Sequence, residues 1–120
     1  MTTAPIVLLY LAAGALGAYM LLLWFRQARR LELIGFHLIL GAAALETMFA
    51  FLRNSDLDVN GRAHGFGTAA IAFMSLALLS GFCAPLLRKQ PKEVSNALLA
   101  THVCSGVAGF LVVLAFVSAL

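Results

Sequence analysis

Residues 5–25 read PIVLLYLAAGALGAYMLLLWF, an apolar stretch that contains no charged side chain. The hydrocarbon layer of a bilayer is about 30 Å thick, and a helix needs about 20 apolar residues to cross it. A run of this kind can lie in lipid only as a helix, because every backbone N–H and C=O group must then be paired inside the segment. The stretch therefore predicts a transmembrane helix.

The rest of the chain repeats this pattern three times. Apolar segments of similar length occupy residues 31–52, 64–87 and 94–120, and the polar joints between them are short, so consecutive helices should be antiparallel. Of the 120 residues, 62% are hydrophobic and 11% are charged, which leaves too little polar surface for a water-soluble fold of this size. We predict an all-α integral membrane four-helix bundle that forms a single transmembrane domain, residues 1–120, in a lipid bilayer.

The basic residues predict the orientation of this bundle. Three of the eight lie in residues 26–30, two in 53–62 and three in 88–92, so six share one side of the membrane. The positive-inside bias makes that side cytoplasmic, or the organellar equivalent, and places the N-terminus and the C-terminus on the outer side. The clusters lie between apolar runs, which favours topology signals over nucleic-acid binding. A bacterial inner membrane or an organellar equivalent is the expected location.

Two histidines lie at similar depths in the second and fourth segments. His37 and His102 are about 9 Å and about 12 Å from the basic side by helical rise, and each is followed by a glycine one turn later, Gly41 and Gly106. A flat macrocycle held between two helices needs one ligand nitrogen from each and a missing side chain beside each ligand. The pattern therefore indicates a site for haem b or another tetrapyrrole, with the two imidazoles as axial ligands.

This placement is loosely similar to that of small membrane b-type cytochromes in general, although no stretch identifies a family. The alternative is that both histidines form hydrogen bonds to neighbouring helices and bind no cofactor.

One acidic residue lies well inside an apolar segment. Glu46 is past the middle of the second segment, where an ionisable group is costly, and His64 lies at the outer end of the third. The pair is a candidate proton or ion site, with His64 at the entrance. The alternative is a buried acid that forms a hydrogen bond to a neighbouring helix.

No metal-ion site is predicted. The turn from Asp56 to Gly61 matches the opening half of a calcium loop, but Gly67 stands where the loop needs a glutamate. The spacings of His37, His102 and the two cysteines match no zinc signature.

Three functional classes agree with these features. We rank first an accessory or assembly subunit of a larger membrane complex, possibly an electron-transfer complex, with other membrane subunits or a homo-oligomer as partners. A haem-binding electron carrier that uses His37 and His102 comes second, and a proton- or ion-coupled transport bundle centred on Glu46 comes third. An enzyme acting alone is not expected, because the chain has no phosphate-binding glycine loop, nucleophile elbow or paired carboxylates on one helix.

Overall fold

The computed structural model describes residues 2–87 and 89–120. These residues form four helices and no strand: α1 (Ala4–Phe25), α2 (Leu31–Asn54), α3 (Arg62–Leu86) and α4 (Lys92–Ala119). Each helix is long and apolar enough to cross a membrane. The predicted all-α bundle is confirmed, and the predicted bounds agree with the observed ones to within two residues.

Local sequence explains where the helices begin and end. Pro5 lies in the first turn of α1, where the missing N–H group is not needed. Gln27 follows α1 in a left-handed conformation with φ 57°, and the N–H groups of Gln27 and Ala28 donate to the carbonyls of Trp24 and Leu23. This pair of bonds is a Schellman motif that closes the helix. Pro85 is the penultimate residue of α3, and a proline is expected to bend or end a helix.

The helices pack as a bundle in which α3 and α4 have the most extensive contact. α1 packs mainly on α2, and α2 also packs on α3. Side chains of the diagonal pair α2 and α4 meet across the centre at two levels, His37 with His102 and Phe51 with Phe116. The outward faces carry large exposed apolar side chains, which suits a lipid surround.

The bundle has two distinct ends. We call the end with the α1–α2 and α3–α4 connections the basic end, and the end with the α2–α3 connection and both termini the far end. The most buried apolar cluster lies in the half nearer the far end and comprises Ile6, Tyr10, Ala44, Met48, Phe51, Ala70, Val113 and Phe116. His37 and His102 lie in the basic half. Which end faces the cytoplasm stays a prediction.

Candidate functional site

The two histidines at matched depth come together inside the basic half. The ring centroids of His37 and His102 are 5.7 Å apart, and the ring planes meet at 80°. Both side chains are half-buried. The pair brings α2 and α4 together across the bundle centre.

His102 is held by a hydrogen bond that it donates to a third helix, α3. Its Nδ1 lies 2.7 Å from the backbone carbonyl oxygen of Ala77 on α3. A carbonyl only accepts, so Nδ1 carries the proton and donates it, and the lone pair of a neutral ring is then on Nε2. Metal-binding histidines are commonly oriented by such a bond to a backbone carbonyl. The predicted role of His102 as a ligand through Nε2 is compatible with this orientation and stays a prediction.

His37 is held differently. Its Nδ1 is buried and makes no hydrogen bond of good geometry, although the backbone of Ala13 on α1 provides a weaker polar contact. A buried polar atom without a partner is costly, by about 1–3 kcal/mol in proteins. The protein contacts therefore leave the tautomer of His37 open, whereas they fix that of His102.

Each imidazole lies against a glycine of the neighbouring helix. A Cβ atom added to Gly81 on α3 would come within 2.7 Å of Cε1 and Nδ1 of His102, and one added to Gly17 on α1 would come within 3.0 Å of Cε1 of His37. Distances this short are well inside van der Waals contact, so only glycine leaves room for the rings as they stand. Gly17 and Gly81 are not among the site residues predicted from the sequence.

The predicted glycines Gly41 and Gly106 have open surroundings. A Cβ atom added to Gly106 would meet nothing within 4 Å, and one added to Gly41 would meet only Leu78, at 3.8 Å. Their predicted role, clearance for a macrocycle, stays a prediction.

The pattern of residues around the two histidines occurs twice in the chain. Five residues of α2 each have a counterpart 65 positions later on α4. His37 corresponds to His102, Gly41 to Gly106, Ala44 to Gly109, Met48 to Val113 and Phe51 to Phe116. On α1, Ala13 and Gly17 precede Ala77 and Gly81 on α3 by 64 residues. The α1–α2 and α3–α4 hairpins thus carry a similar pattern of residues at corresponding positions. A signal for Gly17 and Gly81 was present in the sequence as two Ala-x-x-x-Gly patterns on alternate helices.

The proposed ion-site residues lie elsewhere. Glu46 is exposed on α2, and His64 is half-buried near the start of α3, with Thr68 donating to its backbone carbonyl. Among residues 2–87 and 89–120, no hydrogen bond or ion pair joins the side chains of Glu46 and His64. A relay between them stays a prediction.

The cysteines are separate thiols. Cys83 is half-buried, Cys104 is exposed, and neither forms a disulfide. Within the described part of the chain, no three His, Cys, Asp or Glu side chains are grouped so that they could hold a metal ion.

Comparison with known proteins identifies the family. The whole chain, residues 1–120, matches the family described as eukaryotic cytochrome b561. No curated protein and no solved structure matches it significantly. The match and the four spanning helices support an integral multi-pass membrane protein, but the family's description as eukaryotic does not support the predicted bacterial inner membrane. The chain belongs to the cytochrome b561 family, a family of b-type haem proteins.

Proposed function

We propose that this protein is a membrane electron carrier that binds a b-type haem, with His37 and His102 as the axial ligands. The observation that carries the proposal is the facing of these two imidazoles in the bundle interior, 5.7 Å apart. Two imidazoles that come this close from different helices would be able to hold one haem iron between them, since histidine is a common haem ligand. Family membership supports the haem, and this geometry supports the two residues.

The residues of the pair also suit the chemistry of the group. A haem supplies one-electron redox chemistry, and its four ring nitrogens leave only the two axial positions for the protein. The carbonyl of Ala77 fixes the proton of His102 on Nδ1, and no well-formed hydrogen bond holds the ring of His37 in another orientation. The apolar helices around the pair limit access of water and provide a low dielectric, which tunes the reduction potential of a bound haem.

The open positions beside Gly41 and Gly106 are part of this proposal. If a macrocycle passes next to these glycines, a large side chain there should reduce haem binding while it leaves the haem-free bundle undisturbed. Gly106→Leu tests this, because a Cβ atom at this position meets nothing within 4 Å. Gly14→Leu on α1 is the matched control, since its Cβ position is equally open and lies on an exposed face.

The other expectations rank lower. The accessory-subunit function, ranked first from the sequence, is not confirmed, and the family supports the haem alternative better. Partner subunits or a homo-oligomer remain predictions. No contact in the described residues favours transport through Glu46. The eukaryotic description of the family favours an organellar or other eukaryotic membrane as the location that we propose.

The test is an absorption spectrum of the protein purified in mild detergent after expression with added haem precursor. We expect a Soret band that shifts on reduction with dithionite, a low-spin spectrum, and one haem b per chain by pyridine haemochrome assay. His37→Ala and His102→Ala should each remove the low-spin spectrum. His64→Ala is the matched control, because this third histidine lies in the far half, and it should leave the spectrum unchanged.

A colourless preparation with full helix content, which also takes up no added haem, would contradict the proposal. An unchanged low-spin spectrum in either His37→Ala or His102→Ala would contradict the ligand assignment.

A further inference from the structure

We infer that the two histidines are unequal ligands: His102 is the anchoring ligand, positioned by Ala77 and Gly81, and His37 is the exchangeable one. This inference rests on the proposed haem site. It adds that a small external ligand, such as carbon monoxide or imidazole, enters on the His37 side.

His102 is restrained on two sides by α3. Its Nδ1 donates to the Ala77 carbonyl at 2.7 Å, and the backbone of Gly81, one turn further along α3, leaves no space for a Cβ atom beside the ring. α3 and α4 are also the most extensively packed pair of helices. The direction of Nε2 is therefore set before any ligand binds, so little conformational entropy is lost on coordination.

His37 has the equivalent position on the other hairpin but fewer restraints. Its Nδ1 has no well-formed hydrogen bond, the clearance at Gly17 is slightly larger, and α1 and α2 pack less extensively than α3 and α4. Rotation of the ring about its side-chain bonds thus breaks only the weak contact with the Ala13 backbone, whereas rotation of His102 breaks a hydrogen bond of 2.7 Å. Dissociation of His37 from a metal should be easier than dissociation of His102.

The hydrogen bond to Ala77 also strengthens His102 as a ligand. A donor interaction at Nδ1 raises the basicity of the coordinating nitrogen, and loss of such a partner typically lowers metal affinity by about 10–100-fold. His37 lacks this contribution among its protein contacts. We therefore expect most of the affinity for haem to depend on His102.

The decisive experiment compares His37→Ala with His102→Ala. The His37→Ala protein should keep haem through His102, show a high-spin spectrum, bind carbon monoxide when reduced, and return to a low-spin spectrum with millimolar imidazole. The His102→Ala protein should lose about 10-fold or more in haem affinity. Circular dichroism establishes that both variants keep the helix content of the parent.

Equal loss of haem from the two variants, or better retention by His102→Ala, would overturn the inference while the proposed function stands. Absence of a haem spectrum in the parent protein would instead remove the proposed function itself, and this inference with it. These outcomes are distinguishable because the parent spectrum is measured first.

A second pair of variants keeps both histidines and tests the positioning role directly. Gly81→Ala places a Cβ atom against Nδ1 of His102 and should lower haem affinity by about 10–100-fold, with a shifted electron paramagnetic resonance spectrum of the remaining low-spin haem. Gly17→Ala should change affinity less, since His37 can move. Gly14→Ala is the control, because its Cβ position is open and it lies on an exposed face of α1 outside the proposed site. Equal affinities for Gly81→Ala and Gly17→Ala would overturn the inference even if His102→Ala did not fold.

Discussion

The far half and the basic half of the bundle are packed in different ways. In the far half, Met48, Val113 and Phe116 have no exposed surface, and the ring of Phe116 meets that of Phe51 edge to face. In the basic half the buried side chains are small, and the central space is taken by two half-buried imidazoles. The far half therefore supplies the tight contacts, and the basic half supplies the site.

The difference follows from the lipid surroundings. Helices in a bilayer gain little from removing apolar surface from water, so close van der Waals contact has to stabilise their association. Large side chains give many such contacts but fill the space between helices, whereas small ones let backbones approach and leave room for ligands. A bundle of four short helices can combine tight packing by large side chains with open space beside small ones only if the two kinds of packing lie at different levels along the helices.

The largest effect expected from this comparison is that of Phe116→Ala. Removal of a fully buried ring leaves a cavity at the centre of the far half and should lower the free energy of unfolding by about 3–5 kcal/mol. Unfolding in detergent, followed by circular dichroism, measures the change. Phe49→Ala is the matched control, because Phe49 is 56% exposed on α2. Similar losses in the free energy of unfolding of both variants would contradict the conclusion that buried side chains stabilise the far half.

An intermediate effect is expected where the two halves meet. A Cβ atom at Gly109 would lie 2.6 Å from Sδ of Met74 and 3.3 Å from Cβ of Phe73, so Gly109→Ala must displace the Met74 side chain and crowds Phe73 on α3. Overpacking of this kind typically costs about 1–3 kcal/mol. Gly106→Ala, nearly one turn earlier on the same helix, should leave the unfolding free energy unchanged because its Cβ position is open. Equal stability of the two variants would show that α3 and α4 are not tightly apposed here.

Much of the fold could be predicted from the sequence because it depends on length and hydropathy alone. Four long apolar runs, short joints and Pro85 set the helices and their bounds. The pairing of His37 with His102 also needed only two facts, the direction of each helix and the depth of each residue along it.

Gly17 and Gly81 could not be found in the same way. Their role depends on which face each helix turns toward its neighbour, and a helix that is apolar all round gives no signal for that rotation. The repeat of the two hairpins is equally hard to find from the sequence, since only a few of its matched positions carry chemically distinctive residues. Contact geometry was needed to separate these two glycines from the other glycines of the chain.

A smaller effect of opposite sign is expected at Tyr10 in the far half. Its ring is buried among the core residues, and its phenolic oxygen has no hydrogen-bond partner. An unpaired buried hydroxyl is unfavourable, so Tyr10→Phe should raise the free energy of unfolding by about 1 kcal/mol. The same unfolding assay measures the gain, with the exposed Tyr19→Phe on α1 as the control. A loss of stability in Tyr10→Phe would mean that the hydroxyl has a partner and that the far half is not purely apolar.

The smallest effect is expected for the buried serines of the basic half. The hydroxyls of Ser80 and Ser105 donate to the carbonyls of Leu76 and Thr101, one turn earlier in the same helices. These bonds link no two helices, and each carbonyl can still accept from the helix backbone after the hydroxyl is removed. Ser80→Ala and Ser105→Ala should therefore change the free energy of unfolding by less than about 0.5 kcal/mol.

Both variants should also keep the haem spectrum of the parent, because small apolar side chains of the same size still let the helices approach. A loss above about 1.5 kcal/mol, the upper range for a typical hydrogen bond, would show that polar contacts stabilise the basic half. The basic half would then differ from the far half in being stabilised by polar contacts in place of apolar ones. The two imidazoles would lie in a polar network instead of a space that small residues leave open.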